Sequence, residues 1–386
     1  MTSSLLEGVT VLDLASVGPA ARASRWLADY GASVIKVGPV PARGGVQLAP
    51  PFYAYSAHRG IKRILIDLKD PAGRDAFLRL ASASDVIIES FRPGVVDRLG
   101  IGYEQVKARN PAVVYCSTTG YGQDGPHAAW AGHDLNYLAV SGFLDCTGRG
   151  DGGRPPIPGA TIADSAGGGM HAAMAILAAL VGRQATGEGA YLDVSVAEGM
   201  LAIMALAVDE YLAVGDVPGP GHGMLTGRYA CYGVYPTADG KWLTVAAIEP
   251  RFWVNLCRAL GLERWSDHQT DDSVQGEIRA DLDAAFRSRR RDEWVAVLAP
   301  ADTCVAPVLT VPEVVDDPQF VARRAFATAR HPEHGEFRQV GASFAGQREF
   351  DVVEVEADVS SADEVLALAG LSDQERSAIL EQGAVA

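Results

Sequence analysis

The first third of the chain alternates short apolar runs with stretches in which apolar residues recur every three or four positions. Residues 9–14, 33–37, 64–67, 85–89 and 112–117 read as strands. Residues 20–30 and 71–81 read as helices, the second with Pro71 at its start. Strands alternating with helices predict a doubly wound, mainly parallel sheet, a fold that takes ligands at the carboxyl ends of its strands. Residues 164–183 are nearly all small or apolar. A helix apolar on every side is predicted to be buried, against its own chain or a second subunit. Thr186-Gly-Glu-Gly189 ends that helix, residues 190–196 read as a strand, and a long helical pattern covers 197–214.

Residues 215–227, rich in Gly and Pro, read as a linker. A second block follows. Residues 234–235 and 242–246 form a predicted hairpin around Asp239-Gly240, and helical patterns occupy 251–260, 273–287 and 291–298. The expected organisation is a large α/β domain over 1–196, a linker helix and loop over 197–227, and a smaller α+β domain over 228–309. A return linker over 310–345 then leads to a C-terminal segment over 346–386, with helices at 363–369 and 373–382, which rejoins the large domain.

Composition narrows the class. A chain of 386 residues exceeds one simple core and predicts two domains. Mean hydropathy is +0.06, and no run of about 18 or more uncharged apolar residues occurs, so no membrane span is predicted. The N-terminus lacks a basic stretch followed by an apolar core, so a cytoplasmic location is expected. The five cysteines are odd in number, scattered and without a CxxC pair, and read as reduced thiols rather than a disulfide frame or a metal site. Net charge −15 argues against nucleic-acid binding. Residues 1–110 nevertheless carry 14 Lys and Arg against 10 Asp and Glu. A basic N-terminal part in an acidic protein fits a small polyanionic ligand such as a nucleotide, and also fits ordinary variation in surface charge.

Gly120-Tyr-Gly-Gln-Asp-Gly125 matches a dinucleotide-binding spacing, but Pro126 and a non-helical run follow it, and the first strand–helix turn, Ala15-Ser-Val-Gly-Pro19, lacks the pattern. No HExxH, GxSxG or Walker A motif is present. Three ionisable residues stand out instead: His133, Asp164 and Glu249. Asp164 precedes the long apolar helix, where it reads as an N-cap, and where the helix dipole would keep it ionised and able to accept a proton or attack a thioester. Gly167, Gly168 and Gly169 each cost about 0.8–1 kcal/mol inside a helix, so three in a row imply close approach of a ligand or another backbone. His133 opens an apparent helix with Asp134. Its ordinary pKa near neutrality suits both taking and returning a proton, while Asp134 is placed to cap that helix and its N–H to stabilise an oxyanion. Glu249 sits beside an apolar stretch and calls for a partner, an imidazole or an arginine. Lys36, Arg59, Lys62, Arg63 and Arg92 fall near predicted strand ends, where side chains would hold phosphates, or where they are simply solvated charge.

At these residues the chain resembles the family III CoA transferase (CaiB/BaiF) superfamily, and within it the α-methylacyl-CoA racemase branch. The resemblance is carried by Leu6-Glu-Gly-Val-Thr-Val-Leu-Asp-Leu, Gly31-Ala-Ser-Val-Ile-Lys-Val, Glu89-Ser-Phe-Arg-Pro-Gly, Thr119-Gly-Tyr-Gly-Gln-Asp-Gly-Pro, Gly132-His-Asp-Leu-Asn-Tyr, Ala163-Asp-Ser-Ala-Gly-Gly-Gly-Met and Ala247-Ile-Glu-Pro. It implies an interlocked homodimer, each chain having a Rossmann-like large domain and a smaller domain, with the active site between one subunit's large domain and the other's small domain. It implies that His133 and Asp164 are the two bases of a 1,1-proton transfer on a 2-methylacyl-CoA. Glu249 of the second subunit would orient His133, and the N–H of Asp134 would hold the enolate. It implies that CoA arrives as part of the substrate, with no separate cofactor, along Lys36, Arg59, Lys62, Arg63, Arg92 and Tyr121. Asp164 alone would suffice for the alternative, CoA transfer between carboxylic acids through an aspartyl-CoA thioester. One departure is notable: Lys36-Val-Gly-Pro-Val-Pro-Ala-Arg lacks the usual acidic or basic residue followed by Arg or Pro, so the 40–60 loop is expected to shape a different pocket.

Overall fold

A computed structural model describes residues 4–386, apart from 16, 41–50, 348, 356–359 and 369–370. Residues 41–50, which hold much of the departing stretch that starts at Lys36 and of the 40–60 loop, therefore lie outside the described residues. The alternating pattern becomes β1 (Thr10–Asp13), α1 (Gly18–Asp29), β2 (Ser33–Gly38), β3 (Ile61–Leu65), α2 (Pro71–Ser82), β4 (Val86–Glu89), β5 (Val114–Thr119), α3 (Asp134–Val140), α4 (His171–Thr186), β6 (Ala190–Ser195) and α5 (Val196–Ile203). The six strands form one sheet in the order β3-β2-β1-β4-β5-β6, with every neighbouring pair parallel. The chain winds outward from β1 to β3 and then crosses to β4 on the other side, so a crevice opens between the carboxyl ends of β1 and β4.

Both faces of this sheet are covered, which is why its strands read as continuous apolar runs. Leu12, Ile35, Ile64 and Ile87 pack on one face against Phe77 and Leu80 of α2. Val11, Val34, Ile88 and Val114 pack on the other, against Ala20, Ala23 and Leu27 of α1 and Ala172, Ile176 and Leu180 of α4. β3 begins three residues before the apolar pattern does, because it is an edge strand and leaves Lys62 and Arg63 half-buried. The helix Ala163–Thr186 is long and apolar enough, by length and composition, to cross a membrane. Here one face of it serves as packing surface for the sheet, while Met174 and Val181 on another face are exposed.

β4 ends in a buried carboxyl group. Glu89 is 1% exposed, and its Oε2 accepts the Phe91 N–H at 2.7 Å. Burial raises its pKa to about 7, and Asp97 and Asp193 add to the effect. Between the carboxyl's ordinary pKa of 4.5 and this raised value, the folded chain holds a proton that the unfolded chain has lost. Stability is therefore expected to fall as pH rises from 4.5 to 7, by about 3 kcal/mol, and then to level off. Glu89→Gln keeps an acceptor for the Phe91 N–H and should flatten this dependence in urea unfolding at pH 5 and pH 8. An unchanged slope would show that Glu89 is not its source.

The chain divides into two compact units, Met1–Phe143 with Ile157–Ala205 and Pro318–Ala386, and Leu144–Pro156 with Leu206–Asp317. The helical pattern over 197–214 is two helices, α5 and α6 (Ala205–Val214), since Met204 leaves helical geometry at φ −82°, ψ 3°. The boundary thus falls at 205/206 rather than at the start or end of the Gly/Pro-rich stretch, and the excursion 144–156 joins the second unit. That unit contains β7 (Tyr232–Pro236), β8 (Trp242–Ala246), α7 (Pro250–Leu260), α8 (Gln275–Phe286), α9 (Arg291–Leu298) and β9 (Val305–Pro307). Its antiparallel sheet, in the order β7-β8-β9, packs on Trp253, Leu256, Phe286 and Trp294.

The stretch expected to be a return linker is more than a linker. It holds β10 (Phe326–His331) and β11 (Gly335–Val340), which join β12 (Val352–Glu354) in a second small sheet of the first unit. Helices α10 (Ala362–Leu368) and α11 (Asp373–Glu381) follow. The chain end then docks on β3, where the Leu65 and Ala386 backbones exchange hydrogen bonds of 2.8 and 2.9 Å.

Candidate active site

The crevice predicted by the strand order is a cleft of about 490 Å³ within the first unit. Its walls are the residues that follow three adjacent strands: Val17–Pro19 after β1, Ser90–Pro93 after β4, and Gly120–Tyr121 after β5. His133, Asn136 and Tyr137 from the start of α3 and Asp164 close it. His133 and Asp164, thirty-one positions apart in sequence, line the same cleft.

Asp164 is not an N-cap. It lies within a wide, π-type turn, Ala163–Met170, that runs straight into α4, and the cap position falls to Ile162, which makes no side-chain cap. Such turns are uncommon and gather at functional sites. The three glycines explain the turn's position. A Cβ on Gly168 would come 2.5 Å from Cβ of Pro19, and one on Gly167 would come 2.8 Å from the Val196 carbonyl oxygen. Of the two causes the sequence allowed for these glycines, the backbone of α5 supplies one, and side chains of α1 close in from the other side. On the other side, the carboxylate oxygen of Asp164 lies about 4 Å from where a Gly18 side chain would begin, at the N-terminus of α1.

The remaining anchors are specific. The Asp164 N–H donates to Oδ1 of Asp134 at 2.9 Å, which ties the π turn to α3. Asp134 is therefore the first residue of α3 and does not cap it. His133 occupies the cap position, and its N–H donates to Asn136 Oδ1 at 3.0 Å. The His133 side chain is exposed to the cleft. Arg22 of α1 places Nη1 3.6 Å from Asp164 Oδ2. Burial raises the Asp164 pKa above its ordinary value; Arg22 and His133 oppose the rise and Asp134 adds to it. Tyr137 is buried beneath them and donates its hydroxyl to the Gly132 carbonyl at 2.6 Å, with its own pKa pushed up to about 12, chiefly by burial.

Residues 6–355 match the model of CoA-transferase family III. The chain belongs to CoA-transferase family III. It is 35% identical over 332 residues to an alpha-methylacyl-CoA racemase of Homo sapiens, covering 85% of this chain and 84% of that one. It is 32% identical over 349 residues to a succinyl-CoA--D-citramalate CoA-transferase of Chloroflexus aurantiacus, covering 86% and 85%. Among solved structures, a CaiB/BaiF family protein from Brucella suis superposes with a TM-score of 0.71 at 32% identity, over 83% of this chain and 88% of the other. Family III members are thus enzymes that divide between racemases and CoA-transferases.

Within this family III fold the expected CoA contacts fare unequally. Arg92 is exposed at the cleft with no ion pair among the described residues, and Tyr121 lines the cleft beside it. Lys36 and Arg59 are committed elsewhere. The Lys36 ammonium is buried 2.8 Å from Asp13 Oδ2, which also accepts the Ser24 hydroxyl at 2.6 Å. Arg59 is 2% exposed; it grips Asp29 at 2.8 and 3.0 Å and donates to the Val340 carbonyl at 2.6 Å. Both are structural cations, because a buried charge must be paired to stay in the interior. Lys62 and Arg63 lie on the edge strand β3. The local field is still positive: burial together with Lys36, Arg25 and Arg63 lowers the His58 pKa to about 3.

Glu249 lies in the second unit, exposed at the cap position of α7, and makes no ion pair among the described residues. Sequence reasoning missed Arg22, Tyr137 and Trp130. The signal for Arg22 was a cation among alanines one turn into the first helix, at the ligand end of the sheet. Trp130 lines the cleft 54% exposed and stacks on His127 with centroids 3.7 Å apart.

Proposed function

We propose that this family III enzyme interconverts (R)- and (S)-2-methylacyl-CoA thioesters by two-base 1,1-proton transfer. The observation that carries the reading is that His133 and Asp164 line one cleft at the switch point of the sheet. One of the two takes the α-proton, and the C–H electron pair becomes the enolate. The other delivers its own proton to the opposite face, so each turnover exchanges their protonation states. A carboxyl group with a raised pKa suits both halves, because it accepts and releases a proton near working pH more readily than an ordinary aspartate. The enolate oxygen is taken by the N–H at Asp134, whose carboxylate is already bound to the Asp164 N–H. Arg92 and Tyr121 hold the CoA moiety, which arrives as part of the substrate with no separate cofactor. Glu249 of a second copy orients His133 in a homodimer. The apolar residues Leu206, Leu212 and Val214 on α6, each more than two-thirds exposed, support such a partner.

The second reading, CoA transfer, is favoured by the transferases among the relatives and needs Asp164 alone as nucleophile. Proton NMR of a (2R)-2-methylacyl-CoA with enzyme in D2O separates the two. Racemase chemistry predicts loss of the α-proton signal, collapse of the 2-methyl doublet and appearance of both epimers. No exchange across several acyl chains, with a CoA thioester trapped on Asp164, would replace this reading with the transferase. His133→Ala is expected to cut α-proton exchange by about 10²–10⁴-fold. A variant that retained full exchange would remove His133 from the mechanism.

A further inference from the structure

Arg22 is held in place from two sides without being hydrogen-bonded to the group it faces. Its Nη2 donates to Thr161 Oγ1 at 2.7 Å, just ahead of the π turn. Its guanidinium carbon lies 5.3 Å from the centre of the Tyr55 ring, and the Tyr55 hydroxyl accepts the Gly18 N–H at 2.7 Å. Nη1 is buried, has no hydrogen-bond partner among the described residues, and points its charge at Asp164 Oδ2 from 3.6 Å.

We propose that Arg22 is a positioning residue that sets the proton affinity of Asp164 across space while leaving both carboxylate oxygens open to substrate. The proposal rests on the reading of Asp164 as an acid–base group. A guanidinium hydrogen-bonded to the carboxylate at 2.8 Å would occupy an oxygen and make a weak base of it, lowering the pKa by 1–3 units in the usual case. At 3.6 Å the charge acts but the lone pairs stay free. The charges acting on Asp164 are Arg22 from α1 and His133 and Asp134 from the start of α3, with the Tyr137 hydroxyl on α3 close enough to feel the carboxylate in turn. Arg22 is the larger of the two cationic influences and opposes the effect of burial. Burial favours the neutral carboxyl group, and the Arg22 charge held 3.6 Å away offsets part of that preference.

The test is a titration of the Asp164 carboxyl by carbon NMR of protein labelled at aspartate Cγ, assigned by the signal lost in Asp164→Asn. Arg22→Gln keeps a polar side chain and removes the charge. It should raise the midpoint by about one pH unit, a tenfold gain in proton affinity. Arg22→Lys should restore at least half of the difference. Thr161→Val, which loosens the guanidinium without removing its charge, should give a smaller rise in the same direction and serves if Arg22→Gln fails to fold. In the direction in which Asp164 removes the α-proton, Arg22→Gln should lose about tenfold in kcat/KM below the parent's titration midpoint and converge with the parent well above the variant's. A midpoint that moves by less than about 0.2 unit in Arg22→Gln would overturn the proposal. The two failures are distinguishable: a parent enzyme that exchanges no α-proton would sink the racemase reading, while the titration still decides the role of Arg22.

Discussion

Asp164→Asn is expected to lose about a thousandfold or more in α-proton exchange, and to lose CoA transfer equally if transfer occurs at all. The amide nearly matches the carboxylate in shape. It leaves the Asp164 N–H to Asp134 bond in place, since that bond is made by the backbone. It removes the charge facing Arg22 and, with it, the carboxylate oxygen that would cycle a proton or attack a thioester carbon. Folding should be little changed or slightly improved, because a partly buried carboxylate costs solvation that an amide does not. The measurement is exchange in D2O beside urea unfolding of the same preparation. Exchange within tenfold of the parent would place the second base elsewhere. Comparison with His133→Ala decides between the two chemistries: a racemase needs both side chains, a transferase only Asp164.

The second large effect is structural. Gly199 of α5 faces Gly167 of the π turn so closely that a Cβ on Gly199 would sit 1.9 Å from the Gly167 carbonyl oxygen and 2.6 Å from its carbon. These are backbone atoms and cannot turn aside as a side chain can. Gly199→Ala must therefore push α5 away from the turn, at a cost of about 3 kcal/mol or more. The displaced turn carries Asp164, and an error of about 1 Å in a reacting group can cost roughly 100-fold in rate. Urea midpoint and exchange rate should both fall. Gly182→Ala is the control: the glycine lies exposed on α4 with nothing within 4 Å of a new Cβ, and the change should stabilise the helix by about 0.8–1 kcal/mol. Equal stability of the two variants would show that the Gly167–Gly199 approach does not hold the turn.

The sequence determined by itself those features that depend on local pattern. Continuous apolar runs such as Val86-Ile-Ile88, interleaved with amphipathic helices, are enough to specify a parallel sheet covered on both faces, and so to place ligands at its carboxyl edge. Motifs around His133 and Asp164 were legible because unusual residue types stand in them, an ionisable group beside glycines that a helix would otherwise avoid. The hairpin β10–β11 was not legible: its strands, Phe-Ala-Thr-Ala-Arg-His and Gly-Glu-Phe-Arg-Gln-Val, are polar enough to pass for a linker, and only pairing with each other and with β12 satisfies their backbones. Nor was the fate of single cations. Lys36, Arg59 and Arg92 look alike as letters near strand ends, yet Asp13 and Asp29 neutralise the first two inside the protein and leave the third at the cleft. The π turn, the Arg22–Asp164 pair and the Asp134 anchor arise from contacts between segments 30 to 149 positions apart. Such contacts follow from which backbones can approach and which charges must be paired on burial, and those questions have answers only once the chain is folded.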